Sequence, residues 1–116
     1  MSASKQKGTS FETAVVNYIN ESGYFKAQRL VLAGSADQGD IECGSWIFEA
    51  KNRKGYHPGE AIDEAKVELQ HRKSHGPGLP THYAAIIKRV GKGDVARSFV
   101  VMELEQFVNE IMLEIQ

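Results

Sequence analysis

A chain of 116 residues with 41% hydrophobic and 25% charged side chains has the length and balance of one soluble globular domain, residues 1–116, with a modest core. No apolar run approaches the roughly 18 residues that a membrane span needs, and the basic start at Lys5 and Lys7 is not followed by a signal-peptide core, so the expected location is the cytoplasm. The net charge of −1 argues at first sight against a nucleic-acid partner, but all 14 basic residues precede Met102, whereas four of the 15 acidic residues, Glu103, Glu105, Glu110 and Glu114, follow it.

Residues 1–8 are polar and small, the composition of a flexible lead. A first helix is expected over residues 10–21, ended by Ser22-Gly23, a C-cap signal. Its apolar face is Phe11, Ala14, Val15, Tyr18 and Ile19. Thr9-x-x-Glu12 fits a capping box with Thr9 as N-cap. Stepping about 100° per residue also sets Glu12 at the edge of the apolar face, angled toward a sheet. Residues 25–32 read as the first strand, and the small-residue loop 33–39 delivers Asp40. Within it, Ser35 is either a phosphate contact or ordinary loop filler.

Residues 41–43 and 46–50 are apolar and aromatic, and Gly44-Ser45 between them is a hairpin turn signal. Asp40 and Glu49 then lie on neighbouring strands. Side chains alternate faces along a strand, so Glu49 and Lys51 share one face and Ala50 points away. Two carboxylates and an amine beside Trp46, Ile47 and Phe48 need partners or a metal if they leave water. Mg²⁺ suits such a set, taking oxygens from Asp40, Glu49 and the main-chain carbonyl of Ala50, with Mn²⁺ as a substitute. A metal so held sharpens the acidity of a water, and Lys51 can orient that water or stabilise developing negative charge, which is the chemistry of phosphodiester hydrolysis. The plainer alternative is a Glu-Lys pair on a solvated strand face, with Asp40 as a turn residue.

Beyond Lys51, Asn52-Arg53-Lys54-Gly55-Tyr56-His57-Pro58-Gly59 leaves the strand and enters a second helix near Glu60. Arg53 and Lys54 sit where a bound strand's backbone should pass, either as phosphate contacts or as a solvated basic loop. The second helix has Ala61, Ile62, Ala65, Val67 and Leu69 as its apolar set and ends before Gly76. His71 and His75 are four apart, yet no metal-site pattern accompanies them, and with Arg72 and Lys73 they read better as a DNA-facing patch. Residues 83–88 form an apolar run, a strand buried on both faces. A glycine-rich turn follows, with Lys88, Arg89, Lys92 and Arg97 as DNA contacts or as an ordinary charged tip, then a strand over 98–102. The last helix, 104–115, carries Leu104, Phe107, Val108, Ile111, Met112 and Ile115 as a stripe that is either core or dimer interface. Cys43, the lone cysteine, reads as a small packed residue.

Asp40 followed by Glu49-Ala50-Lys51 resembles the PD-(D/E)XK nuclease signature, with Gly39 where the family has proline. Gly8-Thr9-Ser10-Phe11-Glu12 opening a helix, the Gly39-Asp40-Ile41 turn and Phe48-Glu49-Ala50-Lys51-Asn52 are similar to Holliday junction resolvases of that superfamily, and Val90-Gly91-Lys92-Gly93-Asp94 with Phe99-Val100-Val101-Met102 extends the likeness to small bacteriophage enzymes. The elements read along the chain give the order α-β-β-β-α-β-β-α, and the resemblance implies that they form a single restriction-endonuclease-like α/β domain, a mixed sheet flanked by helices. It also implies a homodimeric, Mg²⁺-dependent endonuclease acting on branched DNA, and a place for Glu12 beside Asp40, Glu49 and Lys51 at the metal. The alternatives are another structure-specific nuclease, for flaps or repair, and a non-catalytic DNA-binding module.

Overall fold

The computed structural model describes residues 3–30, 40–52, 55, 57–74 and 80–115, with backbone alone for 3–9, Asp40 and 72–74. Helix α1 (Ala3–Glu21) leads to the strands β1 (Ala27–Arg29), β2 (Asp40–Cys43) and β3 (Trp46–Lys51). Helix α2 (Pro58–Ser74) crosses to β4 (His82–Ile87), and a 3₁₀ turn (Val95–Arg97) precedes β5 (Phe99–Val101). A terminal helical segment follows, with α-helical ends, α3 (Leu104–Gln106) and α4 (Leu113–Ile115), around a π-helical middle, Phe107–Met112. The strands form one mixed sheet in the order β1-β2-β3-β4-β5. All pairs are antiparallel except β3 with β4, where α2 supplies the crossover that a parallel pair requires. The expected α/β order is therefore present.

Local chemistry explains the joints. Gly44 has φ 57°, and among the described residues only glycines have positive φ, so the two-residue turn pairing Cys43 with Trp46 fits the type II′ form that takes glycine first. Gly23, at φ 82°, ends α1, with its N–H on the Asn20 carbonyl at 3.2 Å. Pro58 opens α2, where a missing N–H costs nothing, and the His57 carbonyl accepts the N–H of Ala61.

The two faces of the sheet are covered separately. Phe11 and Val15 of α1 pack on Ala27, Ile41, Cys43, Ala50 and Ile86. On the other side Ala61 and Ile62 of α2 pack on Ala85 and Ile87. β3 alternates between these layers, so Phe48 and Ala50 belong to the α1 side while Glu49 and Lys51 open toward α2.

Several expectations are corrected. α1 begins at Ala3 rather than Ser10, so most of the supposed flexible lead is helical and Thr9 lies inside the helix, where it cannot be an N-cap. β1 spans three residues of the eight expected, and residues 31 and 32 lie outside the described ones. Val67 is exposed: the buried set Ala61, Ile62, Ala65 and Leu69 follows one helical stripe, and Val67 falls off it. The stripe of the terminal segment faces outward. Leu104 and Ile115 are each 77% exposed, whereas Gln106 is 6% exposed and faces the sheet. Gln106 donates to the Tyr83 carbonyl at 2.7 Å and accepts from the Glu103 N–H at 2.9 Å, so it satisfies backbone groups of both elements.

Candidate active site

Asp40 stands directly opposite Glu49 in the β2–β3 ladder. Backbone groups alternate sides along a strand. The Lys51 carbonyl accepts the Lys88 N–H at 3.0 Å on the β4 side. Glu49 therefore also turns its backbone toward β4, which makes Asp40 and Glu49 a non-hydrogen-bonded pair, the closer of the two antiparallel kinds. By the same alternation the Ala50 carbonyl points toward the β2 side, where Asp40 lies. The backbone thus sets three of the positions expected to share a site beside one another.

Glu49 is 5% exposed, and the Lys51 ammonium lies 3.2 Å from its Oε1. Lys51 also forms an ion pair with Glu64 of α2. Burial alone would lower the pKa of this lysine, but Glu64 and Glu49 outweigh it and hold the ammonium above its ordinary 10.5, so it is a cation at neutral pH. Both residues line a cleft of about 770 Å³ whose other wall is the α2 face Gly59, Glu60, Asp63, Glu64, Val67 and Glu68.

Glu12 is 6% exposed and reaches the sheet from the α1 side. Its direct partner is Arg29 of β1, at 2.8 Å. Burial raises the Glu12 carboxyl, Arg29 pulls it back, and the nearby charges of Glu49 and Lys51 add a push and a pull. Glu12 is thus within electrostatic reach of Glu49 and Lys51 but is approached from the opposite layer.

The donor set suits a hard cation in its chemistry: a buried carboxylate, an opposed Asp40 position and a main-chain carbonyl turned the same way. Among the described side chains, which exclude that of Asp40, no three His, Cys, Asp or Glu groups gather closely enough to hold a metal. Asn52 and Lys88 line a second hollow of about 370 Å³ with Ser10, Phe11, Ala14, Gly93 and Val95, at the carboxyl ends of the parallel pair β3 and β4. Lys92 is exposed in the following turn. Ser35, Arg53 and Lys54 lie outside the described residues, and Arg72 and Lys73 are described by their helical backbone alone.

Arg29 and Glu64 were not anticipated from the sequence. Ala27 faces α1, so alternation assigns Arg29 to that same face, and Glu64 precedes Ala65 at the flank of the buried α2 stripe; both signals require knowing which elements pack together. Among the described residues no helix is long and apolar enough to cross a membrane. Compared with protein-family models, with curated proteins and with solved structures, the chain has no match.

Proposed function

We propose that this chain is a metal-dependent DNA endonuclease that hydrolyses phosphodiester bonds in branched DNA, working as a homodimer in the cytoplasm on a restriction-endonuclease-like fold. The observation that carries the reading is the register that sets Asp40 against Glu49, with Lys51 two residues on and 3.2 Å from the Glu49 carboxylate.

Asp40, Glu49 and the Ala50 carbonyl would hold Mg²⁺ or Mn²⁺. Such an ion, when bound, lowers the pKa of a coordinated water and offsets charge on a phosphoryl oxygen. The Lys51 ammonium, kept protonated, orients the attacking water and stabilises negative charge as it develops on the phosphorus oxygens. Glu12, held by Arg29, acts from the α1 layer through its charge rather than by direct ligation. The α2 wall of the cleft is acidic and repels phosphate, so the DNA backbone approaches from the other flank, across the carboxyl ends of β3 and β4. Asn52, Lys88 and Lys92 meet it there. Ser35, Arg53 and Lys54 are the further contacts proposed from sequence, whereas Arg72 and Lys73, also proposed from sequence, fall at the end of α2 that leads to the amino end of β4, away from this path.

The test is incubation of the protein with a labelled four-way junction, a flap, a plain duplex and single-stranded DNA, each with Mg²⁺, Mn²⁺ or chelator, beside Glu49→Gln. Paired, metal-dependent nicks confined to the junction, absent with Glu49→Gln, are the expected result. Preference for flaps or ends assigns the same site to repair or processing, and metal-independent binding without cleavage leaves a DNA-binding module.

A further inference from the structure

We infer that Glu64 is a positioning residue for Lys51, the anchor that keeps the ammonium beside Glu49 when Glu49 is engaged by a cation. The inference rests on the nuclease reading above. Its starting point is that Lys51 has two carboxylate partners from different elements, Glu49 on its own strand at 3.2 Å and Glu64 on α2. Glu64 belongs to the crossover helix, whose Ala61, Ile62, Ala65 and Leu69 are buried, so its backbone is fixed by core packing rather than by a loop. The Lys51 side chain is itself largely covered, 21% exposed, against 40% for Glu64.

A lysine stem has four rotatable bonds, and ordering it costs rotamer freedom. An ammonium that must stabilise one developing charge gains from being ordered beforehand. Glu49 cannot do this alone once its oxygens turn to a cation, because the cation then repels the ammonium 3.2 Å from Glu49 Oε1. Among the described contacts of Lys51 with carboxylates, the one to Glu64 survives that change. Glu64 lines the cleft from α2, opposite the strand, so its ion pair holds the ammonium in the cleft beside Glu49 from a second element.

The variants are Glu64→Gln, which keeps an oxygen to accept from the ammonium, and Glu64→Ala, which does not. Isotope-labelled lysine NMR on the Mg²⁺-loaded, DNA-free protein reads the order of Lys51, assigned by loss of its signal in Lys51→Ala. Calorimetric titration with Mn²⁺ reads metal binding, and steady-state cleavage reads kcat and KM. The expected result for Glu64→Ala is a mobile Lys51 ammonium, Mn²⁺ affinity within twofold of wild type, and kcat lowered roughly 10- to 100-fold at unchanged KM, the range that misplacement of a reacting group produces. Glu64→Gln recovers most of the kcat, and Glu64→Ala adds nothing in a Lys51→Ala background. An active wild type with Glu64→Ala at full kcat, or with Lys51 equally ordered, overturns the inference alone. A tenfold loss of Mn²⁺ affinity in Glu64→Ala also overturns it, by making Glu64 a ligand. A wild type that cleaves no DNA removes the nuclease reading and the inference with it.

Discussion

Arg29 donates from Nε to Glu12 Oε2 at 2.9 Å, and its Nη2 lies 2.8 Å from the same oxygen in an ion pair. The pair ties the middle of α1 to the edge strand β1, 17 residues apart in sequence. Burial nonetheless holds the Glu12 carboxyl above its ordinary 4.5, with Arg29 offsetting only part of the shift.

Arg29→Met should therefore destabilise the protein in a pH-dependent way. The folded state binds the Glu12 proton more tightly than the unfolded chain does. The stability from this group is full below about pH 4.5 and is lost as pH rises through the raised value. Without Arg29 the carboxyl rises further, so the deficit of the variant grows from pH 4.5 upward. About a third of the Arg29 side chain remains in water, which limits the loss near neutrality to about 1–2 kcal/mol rather than the several of a fully buried pair. Urea unfolding at pH 4.5 and 7.5 measures it, and an equal deficit at both would rule out Glu12 as the group responsible.

Asn20 clamps Ala27 from both sides. Its Oδ1 accepts the Ala27 N–H at 2.6 Å, and its Nδ2 donates to the Ala27 carbonyl at 3.1 Å. Ala27 is buried, so Asn20→Ala leaves two backbone groups of a three-residue edge strand without these partners, a cost of about 2 kcal/mol. Asn20→Asp keeps the acceptor and loses the donor, and its loss should fall between wild type and alanine. Denaturant midpoints rank the three; Asn20→Ala matching wild type would show that water replaces the clamp fully.

These contacts mark where the sequence stops being informative. The hairpin at Gly44-Ser45 and the shared face of Glu49 and Lys51 depend on neighbours in the chain and on a period of two, and both were legible. The Glu12–Arg29, Asn20–Ala27 and Lys51–Glu64 pairs join separate elements, and no local period fixes which elements meet. Thr9-x-x-Glu12 is a true capping pattern, but the helix continues back to Ala3 and makes its donors internal. In the terminal segment the period located an apolar stripe correctly and left its direction open.

That segment gives an inverted ranking of substitutions. Gln106 satisfies the Tyr83 carbonyl and the Glu103 N–H from a buried position, whereas Leu104 projects into solvent. Gln106→Ala should cost about 1–3 kcal/mol by orphaning buried polar groups, and Leu104→Ala should stay within about 0.5 kcal/mol. Thermal or urea unfolding of the isolated protein at low concentration reads the difference. A larger loss from Leu104→Ala would mean that this apolar face is already covered in solution.

Glu49 and Glu12 are both buried carboxylates, but they should answer differently to a metal. Glu49 opposes Asp40 in the ladder and shares the side toward which the cleft opens, while Glu12 is already bonded to Arg29 from the α1 layer. On the proposed function, Glu49→Gln removes a ligand charge and lowers Mn²⁺ affinity at least about tenfold, the scale on which groups at a metal site act. Glu12→Gln removes a more distant charge and changes the affinity by less than about threefold, since a charge that does not touch the ion contributes less than a ligand. It also abolishes the pH-dependent part of the Arg29→Met deficit, because the titrating carboxyl is gone. Calorimetric Mn²⁺ titration of the two variants decides between the roles: an equal loss in both would make Glu12 a direct ligand that leaves Arg29 when metal binds, and no loss in Glu49→Gln would remove the metal from this ladder altogether.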